Sequence, residues 1–193
     1  MTPVADIHIR PYCLDDGPAV FEAAQESLEQ LGPWMPWCHP EYSIEESRAW
    51  LEIQVPAFQH GTAYEFAITG ADGRYLGGCG LNQIDRMNKR ANLGYWVRSA
   101  AARRGAATAA VKLVRNWGFQ NADLNRLEVV VAVGNIASQR VAEKSGATRE
   151  GTLRSRLLLH GVFHDAFVYS FIAGDSGRQR ATARGPLMDL REQ

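Results

Sequence analysis

The stretch "RSAAARRGAATAAVKL", residues 98–113, joins a strand pattern to a helix pattern through an unusual loop. Two adjacent arginines and one glycine interrupt a run of alanines that alone would form a good helix. Glycine costs such a helix about 1 kcal/mol relative to alanine. We therefore expect the backbone around Gly105 to do something other than continue the helix.

The position of this loop indicates an anion site. The strand-like "LGYWV" precedes it and a helical pattern follows, so the loop lies at a helix N-terminus, where unpaired N–H groups and the helix dipole favour a phosphate. Gly105 and Ala107 are small enough for close approach, and Arg103 and Arg104 add charge-assisted donors. The other reading is a solvated helix start. Neither a P-loop nor a dinucleotide fingerprint is present.

Composition places the chain among ordinary soluble domains. It has 193 residues, with 21 basic and 21 acidic side chains, so no overall field favours nucleic acid or an anionic membrane. Three cysteines (Cys13, Cys38 and Cys79) give no disulfide framework. No apolar stretch approaches a membrane span, and the start lacks the apolar region of a secretory leader. We expect a cytoplasmic protein without nucleic-acid or membrane partners.

The pattern along the chain predicts the order β-α-α-β-β-β-α-β-α-β-β in a mixed α/β (α+β) sheet. The first strand ends at Pro11, and one helix then ends at Gly32. Ser43 and Glu46 have capping-box spacing and open a helix to about Phe58. Gly146 is the expected left-handed cap of the last helix. We expect one domain over residues 1–173 and a polar tail over 174–193.

The chain also resembles a known family in one loop and in four ordered segments around it, between Ile7 and Ile172. Arg103–Thr108 resembles the acyl-CoA loop of the GNAT N-acetyltransferases, although the first loop position is Ala102. "NLGYWV", "NIASQRVAEKSGATREG", "GPWMPW" and "DAFVYS" resemble segments of the RimJ/RimL-like subfamily. The resemblance implies a mostly antiparallel, twisted sheet of about seven strands, flanked by four helices. Strands 4 and 5 would splay into a slot for acetyl-CoA.

The resemblance also implies the residues of that slot. Pantetheine would bond to backbone near Tyr95, Trp96 and Val97, as an added strand does. The other cofactor positions would be Arg103, Arg104, Gly105, Ala106, Ala107, Thr108, Asn135 and Arg140, and those on the substrate side would be Trp34, Trp37, Asn82 and Asn92. His160 and His164 straddle a hairpin turn and share no helical face for a metal. We expect no metal.

Family chemistry is direct attack of an amine on the thioester, which needs a proton acceptor for the amine and an acid for the sulfur. Many relatives carry a tyrosine acid where this chain has Ala142. Ser138 is therefore the expected acid, although a serine there can also bond its own helix. Asn92 stands where many RimL-like chains carry an acidic residue. Asp85, Glu150, Glu26 and a water chain remain open as bases, and none is assigned.

These features lead to three hypotheses about function. The first is an N-acetyltransferase that acts on the primary amine of a small molecule or peptide, including a cationic antibiotic. The second is acetylation of the N-terminal α-amine of a ribosomal protein. The third is a non-catalytic acyl-CoA sensor, favoured by Ala142 and Asn92 and opposed by Asn135 and Ser138. The chain would be a monomer or a homodimer.

Overall fold

Seven strands form a single sheet in the computed structural model, which describes residues 6–175. Their order is β1-β2-β3-β4-β5-β7-β6, and every neighbouring pair is antiparallel except β4 and β5. The strands are β1 (His8–Pro11), β2 (Tyr64–Thr69), β3 (Tyr75–Asp85), β4 (Arg90–Val97), β5 (Arg126–Ala132), β6 (Thr148–Leu159) and β7 (Val162–Ile172). The predicted sequence of seven strands along the chain is confirmed.

Helices cover both faces of this sheet. They are α1 (Gly17–Gln25), α2 (Leu28–Leu31), α3 (Ile44–His60), α4 (Ala106–Asn121) and α5 (Ile136–Lys144), with two 3₁₀ turns at Leu14–Asp16 and Ser99–Ala101. Four of these five α-helices have nine residues or more, and α2 has four. No helix between residues 6 and 175 is long and apolar enough to cross a lipid bilayer.

The parallel pair β4–β5 is joined only at its start. Arg90, Ala91 and Asn92 pair with Arg126, Leu127 and Glu128, and the described residues show no β4–β5 pairing beyond that point. β5 continues instead along β7 as far as Ala132. The two central strands therefore separate into the slot that the family resemblance implies.

The two faces of the sheet differ in what they carry, because successive side chains of a strand alternate sides. One face bears Phe66, Leu81 and Leu93, which join the buried Val111 and Val114 of α4 in the main core. The other face packs against α1 and α3 through a smaller cluster (Tyr12, Val20, Ala23, Leu51, Ala67 and Tyr75). This second face holds the cavity described below.

Local signals set several of the element ends. Ser43 and Glu46 form the predicted capping box: the Glu46 N–H donates to Ser43 Oγ at 3.3 Å and the Ser43 N–H to Glu46 Oε2 at 2.8 Å. That helix runs to His60, two residues beyond the predicted end. Gly146 has a φ of +89°, which confirms its left-handed conformation.

The prediction of a single helix before Gly32 is wrong. The chain forms a 3₁₀ turn, α1 and α2, with a break at Glu26–Ser27. The side chain of Ser27, fully buried, donates to the Ala23 carbonyl at 2.7 Å and accepts the Ser99 N–H at 2.9 Å. The contact with Ser99, which follows β4, and the bond back to α1 outweigh the helical periodicity. Of the predicted tail, residues 176–193 lie outside the described part of the chain.

Candidate active site

The separation of β4 from β5 leaves backbone groups of β4 without a strand partner. The Arg98 N–H donates to the Leu76 carbonyl at 2.8 Å, so alternate residues of β4, including Trp96, direct their backbone groups toward β3. Tyr95 and Val97 then direct theirs into the gap. The gap can accept an extended chain of amides as an added strand.

The loop before α4 has the backbone geometry of an anion site. Gly105 is the N-cap of α4, with a φ of +87°, and Arg103 is also left-handed, with a φ of +60°. Within residues 6–175, the N–H groups of Arg103, Arg104 and Gly105 donate to no backbone carbonyl. Both arginines are exposed, and neither pairs with a carboxylate in the same range. The loop thus gathers free N–H groups and two positive charges at a helix N-terminus.

Ala106 and Ala107, the first residues of α4, were expected to be small so that a ligand could approach, but their side chains face the core. The methyl groups of Ala106 and Ala107 are buried in the main core, at 1% and 9% exposure. Their role as small residues is to let α4 pack on the sheet, and only their N–H groups remain for a ligand. Thr108 is partly buried and lies in the same first turn.

A pair of hydroxyl groups connects β4 to α5. The Tyr95 phenol lies 2.9 Å from Ser138 Oγ and donates to the Ser138 carbonyl, also at 2.9 Å. Asn135 caps α5, with its Oδ1 accepting the Ser138 N–H at 3.0 Å. Burial raises the pKa of Tyr95, so the phenol stays protonated near neutral pH.

A cavity of about 280 Å³ lies beside this gap, on the face of the sheet covered by α1 and α3. Its walls are mainly aromatic, and its lining consists of Tyr12, Val20, Met35, Trp37, Tyr42, Glu46, Trp50, Glu65, Gly78, Asn82, Gly94, Tyr95 and Trp96. Gly78 and Gly94 lie on its sheet side, where a larger side chain would fill space. A Cβ on Gly78, for example, would lie 2.6 Å from the Tyr12 hydroxyl.

The strongest functional candidate in this cavity, Glu65, was missed by sequence reasoning. It lies on β2 opposite Gly80 of β3, and a Cβ on Gly80 would collide with its carboxylate. Asn82 Nδ2 donates to Glu65 Oε1 at 3.1 Å, and Asn92 Nδ2 donates to Asn82 Oδ1 at 2.9 Å. Burial raises the pKa of Glu65.

Comparison with known families agrees with this architecture. The profile of the family described as "Acetyltransferase (GNAT) domain" matches residues 6–148. The chain belongs to the GNAT family. It is accordingly an acetyl-CoA-dependent N-acetyltransferase, with the GNAT fold expected from the resemblance.

Individual relatives place this GNAT chain near the RimJ/RimL group. It is 32% identical over 136 residues to "Probable N-acetyltransferase YjcK" of Bacillus subtilis (strain 168), covering 69% of this chain and 75% of that protein. It is 25% identical over 169 residues to "Ribosomal-protein-serine acetyltransferase" of Escherichia coli (strain K12), covering 88% and 89%. A solved structure, "RimL- Ribosomal L7/L12 alpha-N-protein acetyltransferase in complex with Coenzyme A", matches with a TM-score of 0.80 at 25% identity, covering 88% of this chain and 96% of that one.

The four residues predicted on the substrate side of the GNAT slot fall in different places. Trp37 and Asn82 line the cavity, and the Trp37 and Trp96 rings lie 5.3 Å apart. Asn92 reaches the cavity through Asn82. Trp34 is outside the cavity lining, and its ring lies 3.1 Å from where a Cβ on Gly134 would be.

Two positions further along α5, Arg140 and Ala142, lie in different surroundings. Arg140 is exposed on α5, and no ion pair holds it within residues 6–175. Ala142, where many relatives carry tyrosine, is fully buried against the core. The position therefore has no room for a phenol, and the hydroxyl groups of the slot come from Tyr95 and Ser138 instead.

The three carboxylates considered from sequence as bases are all bound elsewhere. Glu26 accepts from Arg98, which lowers its pKa. Arg126 lowers the pKa of Glu150 to about 2. The Asn88 side chain lowers the pKa of Asp85. Such strongly ionised carboxylates are weak proton acceptors, so none of the three suits the role.

No group of three or more metal-ligating side chains is gathered anywhere in residues 6–175. His160 Nε2 instead lies 2.8 Å from the Gly32 carbonyl, so the tip of the β6–β7 hairpin contacts the end of α2.

Proposed function

We propose that this GNAT enzyme acetylates the N-terminal α-amino group of a protein, with a ribosomal protein as the substrate class. The observation that carries the proposal is the aromatic cavity, which contains a carboxylate and opens beside the gap between β4 and β5. One N-terminal residue fits a space of about 280 Å³. The E. coli relative and the RimL structure are named for ribosomal proteins, which favours this class over the small-molecule amine first expected.

The donor would bind along the opposite side of the slot. Tyr95 and Val97 would bond to the pantetheine amides through their free backbone groups, while the buried side chain of Val97 supports the wall. The free N–H groups and the charges of Arg103 and Arg104 fit a pyrophosphate. Arg140 and the amide nitrogen of Asn135 would be further donors to the cofactor.

Ser138 would act as the acid that protonates the leaving thiolate. Its hydroxyl is hydrogen-bonded to the Tyr95 phenol, whose raised pKa keeps a proton available for the pair. The pair would replace the family tyrosine for which the buried Ala142 leaves no space.

The acceptor would enter through the aromatic wall. Trp37 and Trp96 would pack against the first residue of the chain, and an ammonium group can also contact their ring faces favourably. The small volume of the cavity also suits a small amine, so this remains the second candidate.

Thiol release from acetyl-CoA, followed with Ellman detection, tests the proposal on a panel of amines. The panel contains peptides with a free N-terminus, the same peptides with the α-amine blocked, lysine peptides, polyamines and aminoglycosides. We expect turnover only with a free α-amine. Turnover restricted to polyamines or aminoglycosides would replace the proposal by the small-molecule reading. Tight binding of CoA without any turnover would favour a sensor.

A further inference from the structure

We propose that Glu65 is the catalytic residue that accepts the proton of the substrate ammonium, and that Asn82 and Asn92 position its carboxylate. The inference deepens the proposed function and rests on it, since it requires that an amine occupy the cavity. The sequence pattern gave no base for this reaction, and the three carboxylates weighed for that role are bound elsewhere.

The strand register places the Glu65 carboxylate over a part of the sheet that carries no side chains. Glu65 pairs with Gly80, and Gly80 pairs with Gly94 on β4, so the three positions lie in one row on the same face. Since any side chain at Gly80 would collide with the carboxylate, this glycine makes room for it. The carboxylate therefore extends from β2 over Gly80 of β3, and it lines the same cavity as Gly94 and Tyr95 of β4.

A chain of two amides holds the carboxylate in this position. Asn92 donates to Asn82 at 2.9 Å, and Asn82 donates to Glu65 Oε1 at 3.1 Å. Asn82 and Asn92 are themselves register partners on β3 and β4. No other hydrogen bond to the Glu65 carboxylate occurs within residues 6–175, so Oε2 is free to accept from a ligand.

The surroundings of Glu65 favour a proton acceptor with a pKa above the ordinary value. No cation within the described chain pairs with it, and burial is the main cause that raises its pKa. The titratable groups around it are Tyr12 after β1, Cys79 on β3, Tyr42 just before α3, Glu46 in the first turn of α3, and Tyr95 on β4. Burial raises the pKa of Tyr12, Cys79, Tyr42 and Tyr95, so these four stay neutral.

The reaction balances with Glu65 in this role. The ammonium gives one proton to Glu65 and becomes a neutral amine, whose lone pair attacks the thioester carbon. The C–N bond forms, the carbonyl electrons move to oxygen and return, and the C–S bond breaks. Ser138 gives its proton to the leaving thiolate, and the second proton lost by nitrogen passes to Ser138 and restores its hydroxyl group. Glu65 returns its proton to solvent.

The test compares Glu65→Gln with the wild type on the best N-terminal peptide of the panel, from pH 5 to pH 9. The matched control is Glu52→Gln, an exposed carboxylate on α3. Proton transfer by a positioned group contributes about 100-fold or more, so we expect kcat/KM to fall by that factor in Glu65→Gln and to stay unchanged in the control. The acid limb of the pH profile should vanish, while the limb set by the substrate amine remains.

Two further measurements separate loss of chemistry from loss of folding. Because Glu65 binds its proton more tightly in the folded chain, its contribution to stability is lost as the pH rises through its folded pKa. Glu65→Gln should therefore melt at a higher temperature than the wild type near pH 8, and the difference should shrink in acid. Asn92→Ala should loosen Asn82 and move the acid limb to higher pH.

Turnover by Glu65→Gln within threefold of the wild type, with an unchanged acid limb, would contradict the role of Glu65 as proton acceptor but would leave the proposed function standing. No turnover by the wild type with any amine would instead contradict the proposed function on which it rests.

Discussion

At the scale of single residues, the loop before α4 depends on one backbone conformation. Gly105 has a φ of +87°, yet nothing in the described structure lies within 4 Å of where its Cβ would be. The glycine is therefore required for its dihedral angle, since a left-handed conformation costs an L-residue about 1–2 kcal/mol.

Gly105→Ala should lower the free energy of unfolding by about 1 kcal/mol and weaken CoA binding through the displaced N–H groups. Chemical denaturation and calorimetry would measure the two effects. Gly151→Ala is the matched control, because its Cβ also meets nothing within 4 Å while its φ is not positive. Equal, negligible effects at both positions would show that the conformation of Gly105 is unimportant.

Arg103→Glu should weaken CoA binding at least tenfold, because it replaces a donor with an anion beside the proposed pyrophosphate site. Charge-assisted hydrogen bonds are worth about 1.5–3 kcal/mol, and exposure reduces that value. Isothermal calorimetry would measure the affinity, with Arg156→Glu, an exposed arginine of β6, as the control. Unchanged affinity in Arg103→Glu would contradict the assignment of the loop.

Glu65 shows which residue-level information the sequence lacks. The alternation of "AYEFAITG" predicts a strand and puts Glu65 on the face opposite Phe66. The functional meaning of Glu65 depends on its partner Gly80 and on Asn82 and Asn92. Glycines two residues apart at Gly78 and Gly80 were the available signal, because paired gaps on one face leave room for a cavity.

At the scale of elements, the start of the chain shows how tertiary contacts override local periodicity. The pattern before Gly32 predicts one helix, but the chain breaks at Ser27 to contact the end of β4. Arg98, 3% exposed, reinforces this junction by pairing with Glu22 and Glu26 of the α1 region and donating to the Tyr75 carbonyl. Such partners are distant in sequence, so a local sequence pattern cannot predict them.

Arg98→Met should lower the free energy of unfolding by about 2–3 kcal/mol. This loss is smaller than that for breaking a fully buried ion pair, because Glu22 is exposed. Lys89→Met, which removes the exposed pair with Asp123, should change stability by less than about 1 kcal/mol. Urea denaturation would measure both. Similar small losses in the two variants would contradict a stabilising role for the Arg98 junction.

This junction also predicts a pH dependence. Arg98 lowers the pKa of Glu26 in the folded chain, so the stabilisation is present above the ordinary glutamate pKa and is lost as the pH falls through the lowered value. The difference in stability between wild type and Arg98→Met should therefore shrink below about pH 4. A constant difference between pH 7 and pH 3 would contradict this origin.

At the scale of the whole molecule, one parallel strand pair organises the site. The separation of β4 from β5 after Asn92 leaves the anion loop of α4 at the end of β4, with the hydroxyl pair of Tyr95 and Ser138 spanning the gap. The aromatic cavity lies on the face covered by α1 and α3. Under the proposed function, the two substrates would approach the gap from different sides.

This arrangement could be predicted in outline because strand and helix order follow from local patterns and from the family resemblance. Trp37 and Asn82 were expected on the substrate side and do line the cavity, but its shape and its carboxylate could not be predicted, since it arises where α1, α3, the loop before α3 and three strands meet. Its polar group lies on β2, far from the segments that carry the resemblance.

The most direct test of the proposed function is the site of acetylation in a peptide that carries both a free N-terminus and an internal lysine. After incubation with the enzyme and acetyl-CoA, fragmentation mass spectrometry assigns the added acetyl group. The proposal predicts acetylation of the α-amine, with none on the lysine and none on the matched peptide whose N-terminus is blocked. Acetylation of the lysine alone, or turnover that is equal in the blocked peptide, would contradict it.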